Sequence, residues 1–126
     1  MTLYINTTNR DEIIISLKDG DKILATKSIN APRTQAEKLL PAIDRLLKSK
    51  KIKLSDLEKI IVANYGGSFT SLRIGVITAN ALAYALKIPV ISENKIKKNK
   101  EFSGYSIVEP IYDREPNIGI SKKPKL

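Results

Sequence analysis

Gly66-Gly67-Ser68-Phe69-Thr70-Ser71 is the stretch whose residue types come nearest to a reactive site. Glycines running into a helix leave backbone amides free to hold an anion, and the two serines beside them are possible nucleophiles. Neither chemistry is completed. A phosphate-binding loop needs Gly-x-x-x-x-Gly-Lys-Ser/Thr, and no Lys follows at that spacing; the dinucleotide fingerprint is not matched either. A serine nucleophile needs a base, and the 126 residues contain no His. The plainer reading is a tight turn that requires the backbone freedom of glycine. Asp11, Glu12 and Glu58 stand at the starts of strands or helices, where capping suffices to explain them.

With neither His nor Cys, disulfides and the usual zinc, haem and iron–sulfur sites are excluded, which leaves a carboxylate-only magnesium site as the remaining metal option. The formal net charge is +9. Lysines cluster at Lys48-Lys50-Lys51-Lys53, Lys95-Lys97-Lys98-Lys100 and Lys122-Lys123-Lys125, with little aromatic interleaving. They read as solvated loops, with phosphate contact as the competing use. Met1-Thr2-Leu3-Tyr4-Ile5 does not open a signal peptide, and no apolar run approaches the length of a bilayer span. A cytoplasmic protein that makes no membrane contact is expected.

These residues have to be positioned by a small set of elements. Leu3–Thr7, Glu12–Leu17 and Lys22–Ile29 read as three strands, the last two joined at Asp19-Gly20-Asp21 into an antiparallel hairpin. Thr34-Gln35-Ala36-Glu37 has the form of a capping box opening a helix that runs to about Lys50, with Pro41 inside it. Ser55-Asp56-Leu57-Glu58 repeats the capping pattern before a short turn. Lys59–Asn64 carries the continuous apolar run of a strand buried on both faces, as in a parallel sheet. A second helix spans about Thr70 to Leu86, and Pro89-Val90-Ile91 closes the series. A hairpin followed by alternating helices and strands is an α/β pattern with a mixed sheet.

The second helix is apolar around roughly 260° of its circumference, where a surface helix needs a stripe of only ~100°. Asn80, Arg73, Tyr84 and Lys87 crowd into the remaining wedge. One apolar sector holds Leu72, Gly75, Val76, Ala79, Leu82, Ala83 and Leu86; the other holds Ile74, Ile77, Ala81 and Ala85. The sheet covers one sector, and a short chain has little left to cover the second. An uncovered apolar sector of this kind marks an interaction surface. The partner-facing set is expected to be Leu39 and Leu46 of the first helix with Leu72, Gly75, Val76, Ala79, Leu82 and Leu86 of the second. The opposite assignment, with Ile77 and its sector outward, stays open.

Gly67-Ser68-Phe69-Thr70-Ser71-Leu72-Arg73-Ile74-Gly75 resembles the GSFTGLRIG signature of the TsaB (YeaZ) family. Pro32-Arg33 with Glu37 to Leu47 is similar to that family's first main helix with its "LLP" interior. Leu54-Ser55-Asp56-Leu57, Ile88-Pro89-Val90 and Pro110-Ile111-Tyr112-Asp113-Arg114 match further stretches in the same order. The resemblance covers most of Leu3 to Ser92 and one motif near the C-terminus. It departs at Asn6, where the family has Asp, and at Tyr65 to Gly67 and Ser71, where the family reads GPGSFTG.

The resemblance implies half of an actin-like ATPase (ASKHA) fold: a mixed five-stranded sheet with two main helices packed on one face. Residues 1–92 are expected to form that N-terminal domain and 93–126 a remnant, partly extended tail, with most of the usual second domain lacking. It further implies a non-catalytic scaffold without cofactor that binds a TsaD-type subunit through a helical bundle. A TsaE-type ATPase docks on that pair, tRNA is met only within the complex, and the chain forms a homodimer when alone. Gly66, Gly67, Ser68, Phe69, Thr70 and Arg73 are the signature turn. The competing readings are a degraded actin-like enzyme with residual nucleotide binding and a basic nucleic-acid-binding module.

Overall fold

A computed structural model describes residues 1–93, 99–102, 105–109 and 111, with the side chains of 99–102 and 105–106 excepted. Pro110, Tyr112, Asp113 and Arg114 of the C-terminal motif lie outside the described residues, as do the side chains of the second and third lysine clusters.

The strands are β1 (Thr2–Asn6), β2 (Glu12–Asp19), β3 (Lys22–Asn30), β4 (Lys59–Val62) and β5 (Val90–Ser92), in the spatial order β3-β2-β1-β4-β5. The first three pair antiparallel; β4 joins β1 in parallel and β5 joins β4 in parallel. This is the mixed five-stranded sheet expected from the order of the elements. The two-residue connection between β2 and β3 turns on Gly20 at φ +64°, a conformation glycine adopts without penalty. A register irregularity between Leu17 and Lys18 follows it, and β3 forms one edge of the sheet. Two further strands, β6 (Asn99–Phe102) and β7 (Tyr105–Val108), make a separate antiparallel hairpin.

Two helices, α1 (Gln35–Ser49) and α2 (Phe69–Leu86), cover one face of the sheet. Alternation along the strands sends Leu3 and Ile5, Ile13, Ile15 and Leu17, Ile60 and Val62, and Val90 into that layer. There they meet Leu39, Ile43, Leu46, Leu72, Val76 and Ala79 in one core. Tyr4, Ile14 and Ile61 point to the other face and are half-buried.

The start of α1 departs from the capping box. The Thr34 side chain makes no cap, and its hydroxyl is enclosed without a hydrogen bond. The neighbouring Gln35 does the work instead: its buried amide Nε2 donates to the carbonyls of Asn9 (2.6 Å) and Glu12 (3.0 Å), and more weakly to that of Thr7 (3.5 Å). One side chain thus ties the helix start to the β1–β2 loop. The second expected box also shifts by two residues. Asp56 accepts the backbone amide of Lys53 at 2.9 Å and closes a single short turn over Leu54–Asp56.

Among the described residues one helix, α2, is long and apolar enough by length and composition to cross a membrane (18 residues, mean hydropathy 1.3), a test that a core helix also passes and that the reading of the sequence did not anticipate. A third of it is buried inside the fold, because its inner stripe is already engaged with β1, β4 and β5.

Thr34→Val is expected to change the free energy of urea unfolding by less than about 0.5 kcal/mol, where loss of a working cap costs about 1 kcal/mol. Gln35→Leu is expected to cost about 1–3 kcal/mol, because it strips a donor from buried carbonyls.

Candidate functional site

The signature turn is built around the end of β1. Gly66 and Gly67 both hold positive φ, +89° and +72°. At Gly67 the constraint is double, since a Cβ there would lie 2.1 Å from the carbonyl oxygen of Thr8. That same carbonyl accepts the amide of Ser68 at 2.8 Å. Ser68 is the N-cap of α2 and its hydroxyl accepts the amide of Ser71 at 3.3 Å, which serves the helix start. Thr70 and Arg73 are exposed, and the Arg73 guanidinium lies 5.7 Å from the centre of the Phe69 ring, in cation–π range.

One turn further along, β1 and α2 come into direct backbone contact. The Thr7 hydroxyl donates to the carbonyl of Ser71 (2.5 Å) and accepts the amide of Gly75 (3.0 Å). An α-helix otherwise joins those two groups to each other. A Cβ on Gly75 would stand 2.6 Å from the same hydroxyl oxygen. Gly75 is therefore in the signature because the strand end needs its space.

Asn6 is fully committed to local structure. Its Oδ1 accepts the amide (2.9 Å) and the hydroxyl (2.7 Å) of Thr8, and its Nδ2 donates to the Tyr4 hydroxyl (3.0 Å). Tyr4 in turn donates to Glu93 Oε1 at 2.9 Å. Burial, with the Glu93 carboxylate beside it, pushes the Tyr4 phenol up from 10.0 to about 12. The position where the resemblance expects an Asp thus carries an amide that organises a turn. Among the described residues no group of three or more acidic side chains comes together.

The expected partner-facing set is corrected by burial. Leu39, Leu46, Leu72, Gly75, Val76 and Ala79 are buried within the chain's own core, and Leu82 and Leu86 pack half-buried against it. The reason is the Thr7 contact: it fixes Ser71 and Gly75 toward the sheet, and every residue on their side of the helix follows. The other sector is outward. Ile77 is 58% exposed and Tyr84 63% exposed, with Ala81 and Ala85 also exposed, Ile74 half-buried and Phe69 at the N-terminal end. On α1, Leu40 is 54% exposed.

Sequence reasoning also missed two asparagines. Asn80, grouped with Arg73, Tyr84 and Lys87 in the polar wedge, is half-buried and holds the backbone of Val108. Asn64 is fully buried and accepts the Ser92 hydroxyl at 2.6 Å while donating to the Glu109 carbonyl at 2.8 Å.

Residues 23–100 match the family model described as TsaD: tRNA N6-adenosine threonylcarbamoyltransferase. The chain is 30% identical over 117 residues to the tRNA threonylcarbamoyladenosine biosynthesis protein TsaB of Bacillus subtilis, covering 90% of this chain and 50% of that one. It is 34% identical over 86 residues to the protein of the same name from Buchnera aphidicola, covering 67% and 41%. A tRNA N6-adenosine threonylcarbamoyltransferase of Rhodopirellula baltica is 41% identical over 66 residues, covering 52% and 18%. Among solved structures, YeaZ from Pseudomonas aeruginosa superposes with a TM-score of 0.66 at 28% identity, over 72% of this chain and 42% of that one. The chain spans about half the length, or less, of the curated relatives it matches.

Gly67→Ala is expected to destabilise the chain by about 3 kcal/mol or more, since strain in φ adds to collision with backbone. Gly66→Ala, with open space around its Cβ, is expected to cost only about 1–2 kcal/mol; paired urea titrations read the difference. The raised Tyr4 pKa stabilises the fold fully below pH 10, and that contribution is lost as pH rises from 10 through about 12. Tyr4→Phe is expected to flatten this alkaline limb in unfolding midpoints measured from pH 9 to 12.

Proposed function

Because the chain belongs to the TsaB/YeaZ group within the family that the TsaD model describes, we propose that it is a non-catalytic scaffold in threonylcarbamoyladenosine modification of tRNA. In this reading it binds a TsaD-type subunit through the outer surface of α1 and α2. The observation that carries the proposal is the outward sector of α2: Phe69, Ile77 and Tyr84, with Leu40 on α1, remain exposed although the inner stripe of the same helix is already buried. Two apolar sides on one helix mean two sets of neighbours, and the sheet supplies only one. Packing of helix on helix suits this surface, since Ala81 and Ala85 leave room for close approach between its larger anchors.

The structural use of the signature turn's polar groups supports the scaffold reading over the degraded enzyme. Ser68 is taken up in capping, Asn6 in the turn, and Thr7 in the helix contact. A TsaE-type ATPase docking on the pair, a homodimer formed through the same surface when no partner is present, and a cytoplasmic location complete the proposal. Lysine-driven tRNA binding by the isolated chain is the second reading, and the net charge of +9 is what favours it.

Co-purification with a TsaD-type subunit from the same organism tests the scaffold. Ile77→Asp is expected to weaken the complex at least 100-fold while the isolated chain keeps its cooperative melt. Ala79→Arg is expected to unfold the chain, because Ala79 is wholly enclosed. Undiminished binding by Ile77→Asp refutes the assigned surface, and steeply salt-dependent tRNA binding without any partner would favour the second reading.

A further inference from the structure

Most of the stretch from Gly67 to Gly75 is accounted for by folding. Gly67 meets the Thr8 carbonyl, Ser68 caps α2, Ser71 and Gly75 hold the Thr7 hydroxyl, and Leu72 is core. Arg73 is different. It is exposed, and it is the one charged residue among the 18 of α2. With Phe69 four residues before it and Ile77 four residues after, it lies within the outward apolar stripe rather than beside it. Its guanidinium, 5.7 Å from the centre of the Phe69 ring, is held against that stripe. Among the described residues no carboxylate forms an ion pair with it. The helix itself does not favour a cation there, since Arg73 stands in the second turn, toward the positive end of the helix dipole.

A neighbour that covers Phe69, Ile77 and Tyr84 covers Arg73 as well. Enclosing a guanidinium without an anion is costly, so the neighbour has to bring one. We propose that the partner docks a helix carrying a carboxylate opposite Arg73 and an apolar side over Ile77 and Ala81. This rests on the outer face of α2 being the docking surface. The carboxylate accepts paired N–H bonds from a guanidinium that the Phe69 ring has already positioned. A second copy of the chain does not supply that group from the same helix, because α2 holds neither Asp nor Glu. On the outer side of α1, Asp44 is engaged by Lys48 at 3.1 Å, which leaves the exposed Glu37. The apolar stripe admits either neighbour, and the charge within it selects a different chain over a second copy. The net charge of +9 acts in the same direction, drawing in an acidic surface and repelling a like one.

The test measures binding of the full chain to the TsaD-type subunit of the same organism by isothermal titration calorimetry. Arg73→Gln keeps a planar polar group and removes the charge. It is expected to raise Kd at least about tenfold, and Arg73→Glu at least about a hundredfold. Self-association, read by sedimentation equilibrium, is expected to be unchanged or tighter in Arg73→Gln. One Asp or Glu on the partner's docked helix, changed to Lys, is expected to recover at least about tenfold of the affinity that Arg73→Glu loses. Wild-type binding by Arg73→Glu, or the lack of any rescuing substitution in the partner, overturns the proposal. So does a loss of self-association in Arg73→Gln as large as the loss of partner binding, which would make the second copy the occupant. Loss of the cooperative melt in Arg73→Gln would place the counter-ion within the chain and overturn it equally. Ile77→Asp separates this proposal from the one it rests on. If that variant loses the partner and Arg73→Glu does not, the surface stands and the carboxylate falls; if both bind as the wild type does, the surface itself is wrong.

Discussion

The hydroxyl of Thr7, lodged between the Ser71 carbonyl and the Gly75 amide, is the contact on which the rest of the molecule turns. It brings the end of the central strand against the backbone of α2 at a separation that admits no side chain at position 75. It thereby fixes the rotation of that helix about its own axis. Once Ser71 and Gly75 face inward, Leu72, Val76, Ala79 and Ala83 must be core, and Ile77, Ala81 and Tyr84 must be surface. The exposed apolar face of α2 is thus set by a hydrogen bond on the opposite side of the helix.

Around this contact the loop after β1 is closed by polar groups that each serve two neighbours. Asn6 receives both donors of Thr8 and passes its own to Tyr4, Thr8 receives Ser68, and Gln35 reaches back from α1 to the carbonyls of the same loop. Buried groups of this kind are stabilising only when every member is satisfied. The hydroxyls of Thr7, Thr8 and Ser68 are in this way engaged by structure.

The sheet and its helices were legible because their signals are local. The apolar run Leu3 to Thr7, the β-branched run within Glu12 to Leu17, the turn at Gly20, and the continuous run Ile60-Ile61-Val62 each point to a strand or its turn, and the parallel placement of β4 beside β1 followed from connectivity. Orientation of α2 was not legible. Both of its sectors are apolar, so a pattern that reads polarity carries no information about which one faces inward. The deciding group, Thr7, is 64 residues from Ser71 in the chain. The helix starts failed for a different reason. Thr34-Gln35-Ala36-Glu37 fits the capping pattern, yet the Thr34 side chain makes no cap and Gln35 anchors the helix start through carbonyls of the β1–β2 loop instead. Asn64 and Asn80 act on backbone groups 45 and 28 residues away, where spacing rules have nothing to say.

The strand β3 lies at the rim of the sheet with Lys22 and Lys27 exposed along it. An identical strand laid alongside would bring ammonium groups of the two copies close together in a stretch that also has to surrender their hydration. The outer row of unpaired amides and carbonyls is in this way screened against stacking into longer ribbons. The chain can keep an exposed apolar helix face without its other flank inviting indiscriminate aggregation.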